Sequence, residues 1–203
     1  MNKSLLIVFV KNIILGKVKT RLAKTVGDNK AFEVYKQLVD ITEEASLKVD
    51  ADKHIYFSDV IINSKWPNEL KFVQQGENLG DRMLNAFEHG FKQGYEKIIL
   101  IGSDLPDISP EIIEEGFEVL EDNEVVFGPA EDGGYYLVGM SKPEFCVFQN
   151  KKWSTEVLLH DSLTELKEKN STAGLLKTLN DIDTFEDYKK SKLYRDEKCY
   201  TNT

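Results

Sequence analysis

Cysteine is nearly absent from this chain. Cys146 and Cys199 are the only two in 203 residues, and Cys199 sits in a polar tail. Two such residues do not make a disulfide framework, so a reducing compartment is expected. Long apolar runs are missing too, and no stretch approaches the roughly 20 residues that span a bilayer. Met1-Asn-Lys-Ser followed by Leu5–Val10 has the outline of a signal peptide. Its apolar run is short, has no small-residue cleavage site and meets Lys11 at once. The cytoplasm is therefore the expected location. Histidine is scarce: His54, His89 and His160 are scattered without metal-ligand spacing. A strand position for His54 and a helix position for His89 fit solvated or core-edge roles. The chain has no Gly-x-Gly-x-x-Gly, no Gly-Lys-Ser/Thr, no Gly-x-Ser-x-Gly and no reactive-cysteine context. The dinucleotide fingerprint, the P-loop, the serine-hydrolase elbow and thiol chemistry lose their support with them.

What is present is the composition of a globular protein, with 41% hydrophobic and 30% charged residues. The length suits one domain covering 1–203, large enough to bury a core without staples. The net charge of −9 argues against nucleic-acid binding. Its distribution says more than its sum. Residues 1–27 hold Lys3, Lys11, Lys17, Lys19, Arg21 and Lys24 and no acid. The remaining 20 basic residues face all 35 acidic ones downstream, a balance of −15. A basic segment on an acidic body points to a local anion site or to a solvated basic helix start.

Strand and helix patterns alternate. Leu5–Val10, His54–Phe57, Lys71–Gln74, Lys97–Ile101, Glu124–Phe127, Tyr135–Val138 and Leu175–Leu179 read as strands. Helices are predicted over Asp28 to about Lys48, Leu79 to Phe91, from Ser109-Pro110 onward, Ser154 to about Lys169, and Thr184 to about Leu193. Such βαβ alternation implies a mainly parallel sheet covered on both faces, with the 124–138 hairpin adding a strand in the other direction. Ligands of such sheets bind beyond the carboxyl ends of the strands. Three polar clusters fall there: Lys11, Asp104, and the pair Glu131 and Asp132.

Each cluster has chemistry and a plainer alternative. Lys19 and Arg21 lie two apart, so in an extended loop they share a face and offer phosphate a point charge and a bidentate fork. Asp104, in Gly102-Ser-Asp-Leu-Pro106, suits a Mg²⁺ or Mn²⁺ ligand, or simply a turn. Glu131-Asp132-Gly133-Gly134 is either a carboxylate site beside close-approach glycines or a hairpin turn. In Asp181-Ile-Asp183-Thr-Phe-Glu186, Asp183 and Glu186 fit a capping box, and Asp181 just upstream is placed to reach a metal.

Taken in order, Phe9-Val-Lys11, Gly16-Lys-Val-Lys-Thr-Arg-Leu22, Leu79-Gly-Asp-Arg-Met83, Ile101-Gly-Ser-Asp-Leu-Pro106, Gly128-Pro-Ala-Glu-Asp-Gly-Gly-Tyr-Tyr-Leu137, Trp153-Ser-Thr155 and Asp181-Ile-Asp-Thr184 resemble a known family. It is the bacterial GT-A-fold, glycosyltransferase-like family often called selenodomain-associated transferases, similar in turn to phospholactate guanylyltransferase and other nucleotidyltransferases. The resemblance runs from about residue 5 to 190. This chain departs from it at Asn12-Ile-Ile-Leu15, where the family usually has prolines.

The resemblance implies a three-layer α/β/α sandwich with a mainly parallel mixed sheet, nucleotide-diphospho-sugar transferase-like, and a nucleotide pocket over the first strand. By similarity Lys11, Lys19 and Arg21 hold phosphates, Asp104 binds a divalent metal (Mg²⁺ or Mn²⁺), and Glu131 and Asp132 face the acceptor or the transferred group. Asp181 joins the metal candidates, and Gly133, Gly134 and Trp153 the substrate-binding ones. The expected activity is metal-dependent transfer from an activated nucleotide, first of all a sugar nucleotide, to a small-molecule acceptor, with no nucleic acid and no membrane span. A nucleotidyltransferase joining an NTP to a small phosphorylated acceptor is the alternative. A non-catalytic nucleotide-binding protein is the second.

Overall fold

The computed structural model describes residues 3–201, with side chains described as far as residue 197. The readings made on Met1 and on the Cys199 side chain lie outside the described residues. Seven strands form one sheet: β1 (Ser4–Val10), β2 (Asp52–Phe57), β3 (Leu70–Val73), β4 (Lys97–Ile101), β5 (Val125–Pro129), β6 (Tyr135–Met140) and β7 (Ala173–Leu175). Their order is β3-β2-β1-β4-β6-β5-β7. The first four are mutually parallel, β6 runs antiparallel between β4 and β5, and β7 is parallel to β5. The expected mixed, mainly parallel sheet is thus the one found, and the 124–138 hairpin supplies its reversed strand.

Side-chain alternation along the strands divides the core into two layers. Leu6, Val8 and Val10 face one way, with Ile99, Ile101 and Val126. They pack on Tyr35 and Val39 of helix α2 (Asp28–Leu47) and on Ile112, Ile113 and Leu120 of α4 (Pro110–Asp122). Leu5, Ile7 and Phe9 face the other way, against Met83 and Phe87 of α3 (Leu79–Lys92) and Leu166 of α5 (Leu158–Glu168). Both faces are buried, as continuous apolar strands require. Ser109 caps α4, accepting from the Ile112 amide, with Pro110 as first helical residue, as its sequence predicts. Among the described residues no helix is long and apolar enough to cross a membrane.

Several elements differ from the expectation. Thr20–Val26 is a short helix, α1, where a loop was expected; it buries only Leu22, too little to show a helical period. The helix expected from Ser154 begins at Leu158, because Ser154 has φ +60°. A 3₁₀ turn at Phe145–Phe148 precedes it. The last strand lies at Ala173–Leu175, two residues early. The closing helix is two, α6 (Phe185–Lys190) and α7 (Lys192–Thr201), broken at Ser191. The capping box sits one residue later than read: Thr184 and Asp187 exchange bonds, not Asp183 and Glu186. The Asp183 carboxylate is engaged by Arg21 instead.

Candidate functional site

β1, β4, β5 and β7 share a direction, so their carboxyl ends lie along one edge. Lys11 follows Val10 there, Asp104 lies three residues past Ile101, and Glu131 and Asp132 follow Pro129. Beyond β7 the chain stays beside β5: the Leu179 amide donates to the Pro129 carbonyl (3.0 Å) and the Glu131 amide to the Leu179 carbonyl (3.1 Å). It then crosses to the loop after β4, where the Ile182 amide donates to the Asp104 carbonyl (3.3 Å). That crossing sets Asp181 next to Asp104. Residues 77 positions apart meet because one backbone bond ties two strand-end loops together.

Lys19 completes this centre. Its ammonium lies 3.1 Å from the Asp104 carboxylate, and its side chain is only 4% exposed against 30% for its partner. The residue caps α1 in left-handed geometry (φ 48°, ψ 45°). A lysine there costs on the order of 1 kcal/mol, a strain held by the surrounding structure. Burial would raise the Asp104 carboxyl, but Lys19 and then Lys11 outweigh it and hold it below its usual range. Asp181 goes the other way. Burial pushes its carboxyl up to about 6; Lys19 pulls against that, while Asp104, Asp132 and Asp183 add to it. Beneath them the buried Tyr35 hydroxyl donates to the Lys11 carbonyl (3.1 Å) and bonds the Ser103 hydroxyl (3.0 Å), joining the loops after β1 and β4. Burial first, then the Asp104 charge, raises the Tyr35 hydroxyl and keeps it neutral.

Lys19 and Arg21 do not share a face. One points in to Asp104, and the other, 68% exposed, reaches Asp183 at 2.7 Å. A helix start between them accounts for the divergence. The first loop lacks proline but is held by Asn12, 4% exposed. Its carbonyl oxygen accepts from the Ser58 hydroxyl (3.0 Å) and the Asp59 and Val60 amides (2.6 and 3.1 Å), and its amide nitrogen donates to the Val60 carbonyl (2.6 Å). Sequence reading named Asn12 only as the start of the proline-free stretch; its burial and its bonds to the Ser58–Val60 loop appear only in the fold.

The turn between β5 and β6 is a tight loop, not a two-residue hairpin. The Ala130 amide donates to the Gly134 carbonyl and the Gly133 amide to the Ala130 carbonyl. The Asp132 carboxylate accepts from the Gly134 amide at 2.9 Å. Gly133 has φ +84°, and a Cβ there would collide with the Glu156 backbone. Its glycine character therefore serves packing against the start of α5. Trp153 packs on Gly80, where a side chain would meet both the indole and the Phe148 carbonyl. Two adjoining cavities open beside the turn. One, of about 310 Å³, is walled by Arg21, Glu131, Asp132, Asn180, Asp181, Asp183, Thr184 and Asp187. The other, of about 230 Å³, is walled by Pro106, Asp107, Glu131, Thr178, Leu179, Asn180, Asp187, Lys190 and Ser191. Neither wall includes Lys11, Lys19, Asp104, Gly133, Gly134 or Trp153. Among the described residues no three His, Cys, Asp or Glu side chains are arranged to hold a metal ion unaided.

Residues 42–155 match the profile of DUF2064, described as an uncharacterized protein conserved in bacteria. The chain belongs to that family. A provisionally named nucleotide-diphospho-sugar transferase from Desulfovibrio desulfuricans G20 is 32% identical, with TM-score 0.89 over 98% of this chain and 89% of that one. Two solved structures share the fold at lower identity. The 4-diphosphocytidyl-2C-methyl-D-erythritol synthase of Anaerococcus prevotii DSM 20548 has 11% identity and TM-score 0.61, over 96% of this chain and 100% of that one. Rv0371c of Mycobacterium tuberculosis H37Rv, in complex with manganese, has 12% identity and TM-score 0.53, over 94% and 97%. Comparison with curated proteins returns no match. The fold is the nucleotide-diphospho-sugar transferase-like sandwich of the Desulfovibrio desulfuricans protein.

Proposed function

We propose that residues 1–203 act as one unit that transfers a sugar from a nucleotide-diphospho-sugar to a small acceptor, with Mg²⁺ or Mn²⁺. The observation that carries this reading is the juxtaposition of Asp104 and Asp181 beside Lys19, with negative charge left over. The donor set fits a hard divalent cation. It is all oxygen, and Asp181 is pushed to about 6 by burial and by acids that one lysine does not balance. Two carboxylates leave room in the shell for phosphate oxygens and water. When bound, the metal would supply charge stabilisation to the diphosphate leaving group. Asp104 and Asp181 would hold it. Lys11, Lys19 and Arg21 would bind the phosphates, Arg21 exchanging its surface partner Asp183 for them. Glu131 or Asp132 would take the proton of the acceptor hydroxyl as that oxygen attacks the sugar.

A nucleotidyltransferase reading uses the same centre and is favoured by the shared fold of the cytidylyl synthase above. A thermal-shift panel of NTPs and sugar nucleotides, each with and without Mg²⁺ or Mn²⁺, tests both. A ligand at 100 times its Kd adds about 2.7 kcal/mol of stability. Metal-dependent stabilisation by a sugar nucleotide, with no pyrophosphate released on turnover, is the expected result. Pyrophosphate release moves the assignment to nucleotidyl transfer, and no shift with any nucleotide sinks both readings.

A further inference from the structure

The two cavities meet at Glu131, Asn180 and Asp187, yet their free chemistry differs. In the smaller one most polar groups are already committed. Asp187 accepts from the Thr184 amide (2.7 Å), the Thr184 hydroxyl (2.6 Å), the Asp183 amide (3.3 Å) and the Asn180 side chain (3.4 Å). Asp107 faces Lys192 at 3.7 Å, and the Ser191 hydroxyl donates to the Tyr188 carbonyl. Among the described residues, three side chains in that wall carry no such bond: the Glu131 carboxylate, the Lys190 ammonium and the Thr178 hydroxyl. They comprise one anion, one cation and one group that both donates and accepts. Asp187 keeps its charge among neutral donors, so the wall is net negative and turns away an anion, while a neutral molecule can use Glu131 and Lys190 together. A molecule that must donate to Glu131 and accept from Lys190 over a short span carries several hydroxyl groups. The 230 Å³ volume lies below the range of drug-sized pockets and suits something as small as one sugar ring.

We infer that this smaller cavity is the acceptor subsite, that it takes a small neutral polyhydroxyl compound, and that Glu131, not Asp132, is the base. This rests on the transferase reading above. Glu131 stands in both walls, and its amide donates to the carbonyl of Leu179 in the wall of the smaller cavity (3.1 Å). Asp132 lines only the larger cavity, and its carboxylate is used by the Gly134 amide. In the step itself the acceptor O–H bond breaks and its proton passes to the Glu131 carboxylate. The freed oxygen bonds to the anomeric carbon. The bond from that carbon to the diphosphate oxygen breaks, and its electron pair leaves with the nucleoside diphosphate.

The test uses the full chain. Glucose, myo-inositol and glycerol are titrated with glucose 6-phosphate as the anionic comparison, and binding is followed by NMR without nucleotide. At least one neutral polyol is expected to bind, and Lys190→Ala, on an exposed residue, is expected to weaken it about five- to tenfold, one hydrogen bond's worth. The melting temperature and the affinity for UDP with Mn²⁺ should not move. With an active donor, Glu131→Gln is expected to lower kcat by about 10²-fold or more, the scale of a general base. Asp132→Asn should lower it far less. Tighter binding of glucose 6-phosphate than of glucose overturns the inference, as do polyol binding insensitive to Lys190→Ala and a larger kcat loss in Asp132→Asn. Polyol binding without any nucleotide binding keeps the subsite and rejects the transferase reading. Nucleotide binding without polyol binding rejects the subsite alone.

Discussion

Two regions of this fold bury titratable side chains, and they treat charge in opposite ways. At the carboxyl edge of β4, Asp104 stays ionised because Lys19 and Lys11 sit beside it. On β2, His54 is fully buried among Phe72, His89 and Tyr95, with ring centroids 5.1, 5.6 and 5.7 Å away. Neither of its ring nitrogens has a hydrogen-bond partner among the described residues. Burial, and then the neighbouring His89, push it down to about 4 against the pull of Asp52. The aromatic region meets the cost of burial by discharging its group. The strand-edge region keeps its charges and balances them incompletely, leaving Asp181 at about 6. A fold that needed only stability would discharge both. Retained, partly paired charge at a ligand-binding edge is what a charged ligand would complete.

The largest effect should fall on chemistry at the first region. Asp104→Asn is expected to lower the transfer rate by about 10²- to 10³-fold, the scale for removing one electrostatic stabiliser. The fold should survive, since Lys19 keeps Asp181 as counter-ion. Steady-state kinetics with a circular-dichroism control check it, and a loss below tenfold would erase the contrast between the regions. Lys19→Met comes next. It leaves two half-buried carboxylates with only Lys11 near Asp104 as counter-charge and should cost about 3 kcal/mol at pH 7 in urea denaturation. The cost should shrink at pH 5, where Asp181 holds a proton.

Much of this centre was legible in the sequence because its parts sit at strand ends, and the strands are continuous apolar runs. Lys11, Asp104 and Glu131 each follow such a run, and parallel topology then puts them on one edge. What escaped depended on short or long-range features. Helix α1 has one buried residue, so no period announced it, and Lys19 and Arg21 were paired when they diverge. The meeting of Asp104 with Asp181 rests on a single amide bond from Ile182. The capping box slipped by one because Ser/Thr/Asp spacing is degenerate over Asp181–Asp187; only the Arg21 partner of Asp183 breaks the tie. His54 lies on a strand as read, but it is fully buried instead of solvated or at the core's edge, and that burial without hydrogen-bond partners is a tertiary fact.

His54→Leu tests the second region. Removing two unpaired nitrogens from an apolar site is expected to raise stability by about 1 kcal/mol at pH 7. The sign with pH follows from the depressed value. The unfolded imidazole titrates near 6.5 and the folded one near 4, so stability present above 6.5 is lost as pH falls toward 4. From that shift alone the wild type loses about 2 kcal/mol by pH 5, which the variant should recover. Transfer activity should be unchanged. An acid-sensitive variant, or an inactive one, would remove the distinction between the regions.

The smallest effect is the most discriminating. Asp181 has a raised carboxyl, so the folded state holds its proton more tightly than the unfolded state, where the value is 3.8. Its stabilising contribution is full below 3.8 and is lost as pH rises through about 6. The His54 contribution runs the opposite way over nearly the same window. Asp104, Asp187, Glu44, Glu111, Glu124 and Glu197, whose values are lowered, give stability that is complete above the unfolded carboxylate range and is lost as pH falls through it. Between about pH 5.5 and 6, above most of the unfolded glutamate titration, the two opposed slopes therefore dominate the resolved shifts and largely cancel. Urea midpoints of the wild type should be nearly flat there. Asp181→Asn should leave the histidine slope, with stability rising with pH, and His54→Leu the aspartate slope, with stability falling. Slopes of the same sign in the two variants would mean that one region's charge is not set as its neighbours dictate.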